Sequence, residues 1–195
     1  MRQAHLMAVA ALAVSVVATV ATQQAPGAPA PTPMRLTSTS FADGSVIPNK
    51  YTQLEKQTSP ALTWVNAPAA TQSFVLHMHD VEGARNKTTD DQLHWLVWNI
   101  PATTTSLPEG VPAGPDLKDG SHQTSANGNG TYRGPGAPAN GPLHHYVFEV
   151  FALDTKIDVA ANAADPFETR TRVIAAMQGH VIGKAVYMGL FHRPE

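Results

Sequence analysis

The chain has 195 residues, 43% of them hydrophobic, with 15 acidic against 13 basic side chains and a formal net charge of −2. That length supports one domain with a sizeable core, and so balanced a charge offers no general attraction to nucleic acid or anionic membranes. There is no cysteine, so disulfides and cysteine-linked lipidation are excluded and packing alone must stabilise the fold.

Residues 1–21 open with Arg2 and His5, continue as an apolar run from Leu6, and end with small residues at Thr19 and Ala21. This is the pattern of a secretory signal peptide, and the run is short for a membrane span. Residues 22–33, T-Q-Q-A-P-G-A-P-A-P-T-P, are too rich in proline for helix or sheet and read as a linker. The folded domain is expected over 34–195, in the periplasm or secreted, with no membrane span once the signal is removed.

Short strands between Gly/Pro punctuation follow. Residues 62–65 (L-T-W-V) form one. In 73–79 (S-F-V-L-H-M-H) Phe74, Leu76 and Met78 share a face, and Asp80 continues it as the strand leaves the core. His77 and His79 fall on the other face, as surface residues. K-T-T-D-D, 87–91, reads as a solvated turn. Residues 94–100 (H-W-L-V-W-N-I) alternate so that His94, Leu96 and Trp98 share a face. The span 101–141 has little periodicity and reads as ordered, functional loop. Residues 146–153 (Y-V-F-E-V-F-A-L) are nearly continuously apolar, as a central strand is. Asp165-Pro166 is a cap followed by a first-turn proline, starting a helix that ends near Gln178 before Gly179, where His180 satisfies local backbone. A last strand covers 181–191. The fold class is mainly β: an antiparallel β-sandwich with one or two short helices.

The most informative stretch is Y-R-G-P-G-A-P-A-N-G-P-L-H-H-Y, 132–146. A rigid Gly/Pro loop runs into a strand whose parity puts His144 and Tyr146 on one face and His145 on the other. If neighbouring strands bring Asp80 and His94 alongside, two imidazoles, a phenol and a carboxylate converge in one pocket. Imidazoles and a phenol donate hydrogen bonds suited to an oxyanion such as phosphate, while a carboxylate fixes an imidazole tautomer or receives a cationic head group. Tyr132 and Trp98 read as core or pocket wall. Two histidines and a carboxylate are also metal donors, but the tight helical spacing of a metal motif is missing. No G-x-S-x-G elbow or comparable serine is present, so no catalytic residue, metal or cofactor is expected.

These motifs resemble the phosphatidylethanolamine-binding protein family, in its bacterial Raf-kinase-inhibitor-like (YbhB/YbcL) branch. The resemblance spans 34–193. It rests on L-T-S-T-S-F-A-D-G-S-V-I-P-N-K-Y-T, S-P-A-L-T-W, H-W-L-V-W-N-I-P, the N-G-x-x-x-Y-R-G-P and G-P-x-H-x-Y loop, and Q-G-H-V-I-G-K-A. It implies a Greek-key sandwich with a small anion pocket, the pocket residues being Asp80, His94, His144 and Tyr146. Gly134-Pro135 and Gly141-Pro142 are implied as pocket wall. Where the family has D-P-D-A-P, this chain has Asp80-Val81-Glu82-Gly83-Ala84. Glu82 keeps the charge on a longer arm, the proline is lost, and Arg85 adds a cation, changes that bear on ligand choice. Gly136 and Gln53 stand where many relatives carry cysteine.

The resulting expectation is a binding module for a phosphate- or carboxylate-bearing ligand, such as a phospholipid head group. His94, His144 and Tyr146 would donate to the oxyanion while Asp80 orients an imidazole. With imidazole pKa values near ~6.5, binding would strengthen as pH falls through that range. The alternative is an interaction or inhibitor module acting on a secreted protease or other protein partner. A hydrolase built on the His/Asp cluster ranks behind both.

Overall fold

The central strands of the large sheet, at 73–80 and 92–101, are buried on both faces, while 181–191 alternates between buried and exposed. The computed structural model describes residues 32–128 and 130–195, so the expected signal segment and nearly all of the linker lie outside the described residues. Among the described residues, nine strands and one α-helix form in the order β1 (Arg35–Thr37), β2 (Ser45–Val46), β3 (Leu62–Val65), β4 (Ser73–Asp80), β5 (Gln92–Pro101), β6 (Ser106–Leu107), β7 (His122–Thr124), β8 (His144–Leu153), α1 (Pro166–Met177) and β9 (Val181–Phe191). A 3₁₀ turn, Asn49–Tyr51, lies between β2 and β3.

A three-stranded sheet, β1-β3-β6, packs on a six-stranded sheet ordered β2-β9-β8-β4-β5-β7. Within the latter, β4, β5 and β7 are consecutive neighbours and β8 returns beside β4, which is the Greek-key order. The pairing is antiparallel except at β2, which runs parallel to β9. That departs from the all-antiparallel expectation. The two-residue β2 follows a turn in which Gly44 takes a positive φ of 71°.

Alternation along β4 and β8 divides their side chains between two cores. Phe74, Leu76 and Met78 of β4 and Phe148 and Val150 of β8 meet Leu36, Leu62, Trp64 and Leu107 of the small sheet. On the other face Val75, Leu93, Leu96 and Trp98 meet Val173 and Met177 of α1 and the segment carrying Ile157 and Val159. Trp64, Trp95 and Trp98 are wholly buried, each worth roughly 1.5–3 kcal/mol or more of transfer free energy. Trp98 and Tyr132 both belong to core rather than pocket. Trp98 Nε1 donates to the Val159 carbonyl (2.9 Å) and Tyr132 Oη to the Tyr51 carbonyl (2.9 Å).

Helix α1 starts as the sequence suggests. Asp165 accepts from the backbone N–H groups of Phe167 and Glu168, Pro166 opens the first turn, and Gly179 follows at φ 84°. By covering the second face of the large sheet, α1 buries His77 and much of His79, which therefore are not surface residues. Asp91 likewise leaves the solvated turn, because Arg170 of α1 donates to it at 2.7 Å. His180 pairs with the Asp154 carboxylate at 2.8 Å. Among the described residues, no helix is long and apolar enough to cross a membrane.

Candidate functional site

Strand register aligns the pocket groups. Asp80, the last residue of β4, sits opposite Tyr146 of β8 on one side and Gln92 of β5 on the other. His144 opens β8 two residues before Tyr146, so its ring falls on the same face, and its Nδ1 lies 2.8 and 3.0 Å from the two Asp80 oxygens. His145 points away, as parity requires, and its Nδ1 donates to Glu82 Oε1 at 2.6 Å.

His94 arrives by a different route from the one alternation suggests. Met78 pairs with Trp95 while His79 pairs with Leu93, leaving His94 as the extra residue of a β-bulge. The bulge turns it away from Leu96 and Trp98, which lie in the helix-covered core, and sets it edge-on to Tyr146 with ring centres 5.0 Å apart. A reciprocal clamp then attaches the Gly/Pro loop: His94 Nδ1 donates to the Arg133 carbonyl (2.9 Å), and the Arg133 N–H donates back to the His94 carbonyl (3.1 Å).

The resulting cavity has a volume of ≈ 200 Å³. Asp80, His94, His144 and Tyr146 line it together with Gln53, Gly83, Ala84, Gln92, Arg133, Gly136, Ala137 and Pro138. Gly134 and Pro135 stand behind this wall. A Cβ on Gly134 would come within 2.6 Å of the Tyr51 carbonyl oxygen, so only glycine permits that approach. Pro135 accepts from the Gln53 N–H at 2.9 Å. Glu82 lies beside the cavity rather than in its lining, both of its oxygens accepting from His145. Burial would raise the Glu82 carboxyl, but those His145 hydrogen bonds hold it below the usual range.

Arg133, Gln53 and Gln92 are lining residues that motif reading overlooked. Arg133 carried a signal, as the cation inside the Gly/Pro loop. Gln53 carried none, because only tertiary structure lays its carboxamide over Gly136, whose Cβ would lie 2.4 Å from it. Gln53 donates to the Gly134 carbonyl (2.8 Å) and accepts from Arg193 (3.1 Å), tying the loop to the chain end.

Protonation decides what each group can do. Burial, aided by the Arg133 charge, pushes the His94 imidazole down to about 4. It is therefore neutral at pH 7, donates from Nδ1 to the loop, and turns an acceptor Nε2 inward. This corrects the expectation that His94 donates to an oxyanion and titrates near neutrality. Burial, with the Asp80 charge beside it, raises the Tyr146 phenol. Its oxygen already accepts from the Gly136 and Ala137 N–H groups (3.1 Å each), so the phenol acts through its O–H, which has the Asp80 carboxylate beside it. Asp80 holds the Nδ1–H tautomer of His144, whose Nε2 donates when the ring is an imidazolium. Arg133 supplies a permanent cation. Asp80, Glu82 and His144 each offer a ligand atom within 4.8 Å of the others, but Glu82 is committed to His145.

Comparison with known proteins agrees with this architecture. The family model described as phosphatidylethanolamine-binding protein matches residues 37–192. A UPF0098 protein of Methanothermobacter thermautotrophicus is 37% identical over 162 residues, 82% of this chain and 99% of that protein. Escherichia coli YbhB is 35% identical over 138 residues, 67% of this chain and 85% of that protein. The crystal structure of E. coli YbcL, described as a member of the mammalian PEBP family, superposes with a TM-score of 0.69 at 27% identity, covering 83% of this chain and 99% of YbcL. The chain belongs to the phosphatidylethanolamine-binding protein family.

Proposed function

We propose that this protein is an exported, non-catalytic binding module that holds a small oxyanion, phosphate or carboxylate, in the pocket between β4, β5, β8 and the Gly/Pro loop. One observation carries the reading: Arg133, the Tyr146 phenol and the Asp80-bound His144 line a single cavity of ≈ 200 Å³. Drug-sized ligands occupy about 300–1,000 Å³. This cavity accommodates a phosphate or a head group and leaves any acyl chains outside. Arg133 supplies charge, Tyr146 one hydrogen bond, and His144 a second when protonated, while neutral His94 accepts from a ligand hydroxyl or ammonium. The lining contains no serine, threonine or cysteine.

NMR titration with inorganic phosphate, phosphoethanolamine and acetate tests the site. Saturable shifts of the His144 and His94 ring resonances and of the Arg133 guanidinium are expected. No shift at millimolar ligand would overturn the reading. The Arg2-to-Ala21 segment supports export, and recovery of the protein from the cytosol with Met1 intact would contradict that part.

A second reading, a protein partner docking over the pocket, is favoured by two exposed apolar residues, Val81 and Leu143, each next in sequence to a pocket residue. A captured partner retained by His144→Gln and released by Val81→Asp would favour this reading over pocket chemistry.

A further inference from the structure

The second polar cluster lies on the opposite face of the large sheet, beneath α1. His77 and His79 occupy alternate positions of β4, their rings stacked with centres 4.4 Å apart and planes 10° from parallel. Glu149 of β8 is the register partner of His77, and Asp91 enters from the residue preceding β5. His77, His79 and Asp91 each offer a ligand atom, all within 4.8 Å of one another. Glu149 Oε2 lies 3.7 Å from His77 Nδ1 and 3.4 Å from His79 Nε2.

We propose that these four residues form a divalent transition-metal site. Two independent observations support it beyond proximity. The first concerns the imidazoles. His77 is 7% exposed, lines a cavity of ≈ 320 Å³ with Asp91, Arg170 and Ile174, and its Nε2 is buried without a hydrogen-bond partner. His79 Nε2 is likewise buried and faces only Glu149 Oε2, at 3.4 Å. Buried polar atoms in folded proteins are nearly always satisfied, and the orphaned His77 Nε2 in this cluster calls for a ligand.

The second concerns the carboxylates, each of which divides its two oxygens. Asp91 Oδ1 accepts from Arg170 at 2.7 Å, while Oδ2 is held by His79 Nδ1. Glu149 Oε1 pairs with Lys184 at 2.5 Å, while Oε2 faces both histidines. A cation behind each carboxylate is the outer-shell arrangement that orients metal ligands, here leaving Glu149 Oε2 turned to both rings and Asp91 Oδ2 turned to His79. Two imidazole nitrogens with two carboxylate oxygens suit Zn²⁺ and its neighbours such as Co²⁺, whereas Ca²⁺ and Mg²⁺ take oxygen-only sets. Bond lengths of about 2.0–2.2 Å require the stacked rings to rotate so that one nitrogen of each converges. Because Asp91 also binds Arg170, a bound metal would fasten α1 to the sheet.

The test is titration of the EDTA-treated full-length protein with Zn²⁺ by calorimetry and with Co²⁺ by visible absorption. One equivalent is expected, with the intense visible bands of low-coordinate Co²⁺ and an increase in Tm. His77→Gln should weaken binding by at least about 100-fold, while His144→Gln leaves it unchanged. If His77→Gln does not fold, the histidine side-chain NMR spectrum of the wild type decides instead: Zn²⁺ must shift the His77 and His79 rings and spare His144. Absence of stoichiometric binding, equal affinity in His77→Gln, or loss confined to His144→Gln would each overturn the assignment.

Discussion

Acidification should destabilise this protein through His94 by an amount that can be isolated. The ring is 3% exposed, and burial takes its pKa from the ordinary value of 6.5 down to about 4. Between those values the unfolded chain binds a proton that the folded chain refuses, so stability falls as pH drops from 6.5 towards 4. The gap corresponds to roughly 3 kcal/mol at about 1.4 kcal/mol per pKa unit. Other acid-sensitive groups contribute too, so the informative quantity is a difference of differences. His94→Gln retains a donor for the Arg133 carbonyl but cannot titrate. Urea unfolding of both proteins from neutral pH down to about 4 should show the wild type losing about 3 kcal/mol more than the variant. Losses equal within about 1 kcal/mol would refute the claim that His94 is buried as a neutral base.

The loop gives a paired test with opposite tolerances. Gly134→Ala would set a Cβ against Tyr51 and Thr52 backbone, at 2.6 Å from the nearest atom, and should cost about 1–3 kcal/mol in unfolding free energy. Gly136→Ala meets first the Gln53 carboxamide, a side chain rather than backbone, and should cost less; the reverse order would contradict the packing described. Tyr146→Phe removes the acceptor of the Gly136 and Ala137 N–H groups, and chemical denaturation should register a loss of about 2 kcal/mol. An unchanged midpoint would mean water replaces the phenol at no cost. On the other face, burial would lower the His79 pKa, but the Asp91 and Glu149 carboxylates outweigh it and hold the ring at about 9. Its contribution is therefore fully present below 6.5 and lost as pH rises through about 9. In EDTA, Tm should fall over that window more steeply for the wild type than for His79→Gln, and parallel curves would argue against the ion pairs.

Much of the pocket was legible because β-strand parity is a local property. Asp80, His144 and Tyr146 share a face with the apolar residues of their own strands, and β4 and β8 are long enough to show the period. The same rule misplaced His94, since a single inserted residue at a bulge inverts parity and leaves no mark in H-W-L-V-W-N-I. Burial of His77 and His79 could not be read from β4 either; it depends on α1, some ninety residues later in the sequence. The helix itself was plain from Asp165-Pro166 and Gly179, but not the sheet face it covers. Strands β1, β2, β6 and β7 have two or three residues each, too few for any periodicity, so the parallel β2–β9 pair was invisible. Gln53 reaches the pocket only through the chain's return past the Gly/Pro loop.

Calorimetric titration of phosphoethanolamine into the wild type and Arg133→Gln reads whether Arg133, Tyr146 and His144 hold an oxyanion. A charge-assisted hydrogen bond is worth about 1.5–3 kcal/mol. Saturable one-to-one binding is expected that weakens roughly 10- to 150-fold in the variant while Tm stays nearly constant. Equal affinities in the two proteins, or no saturable binding in either, would contradict it.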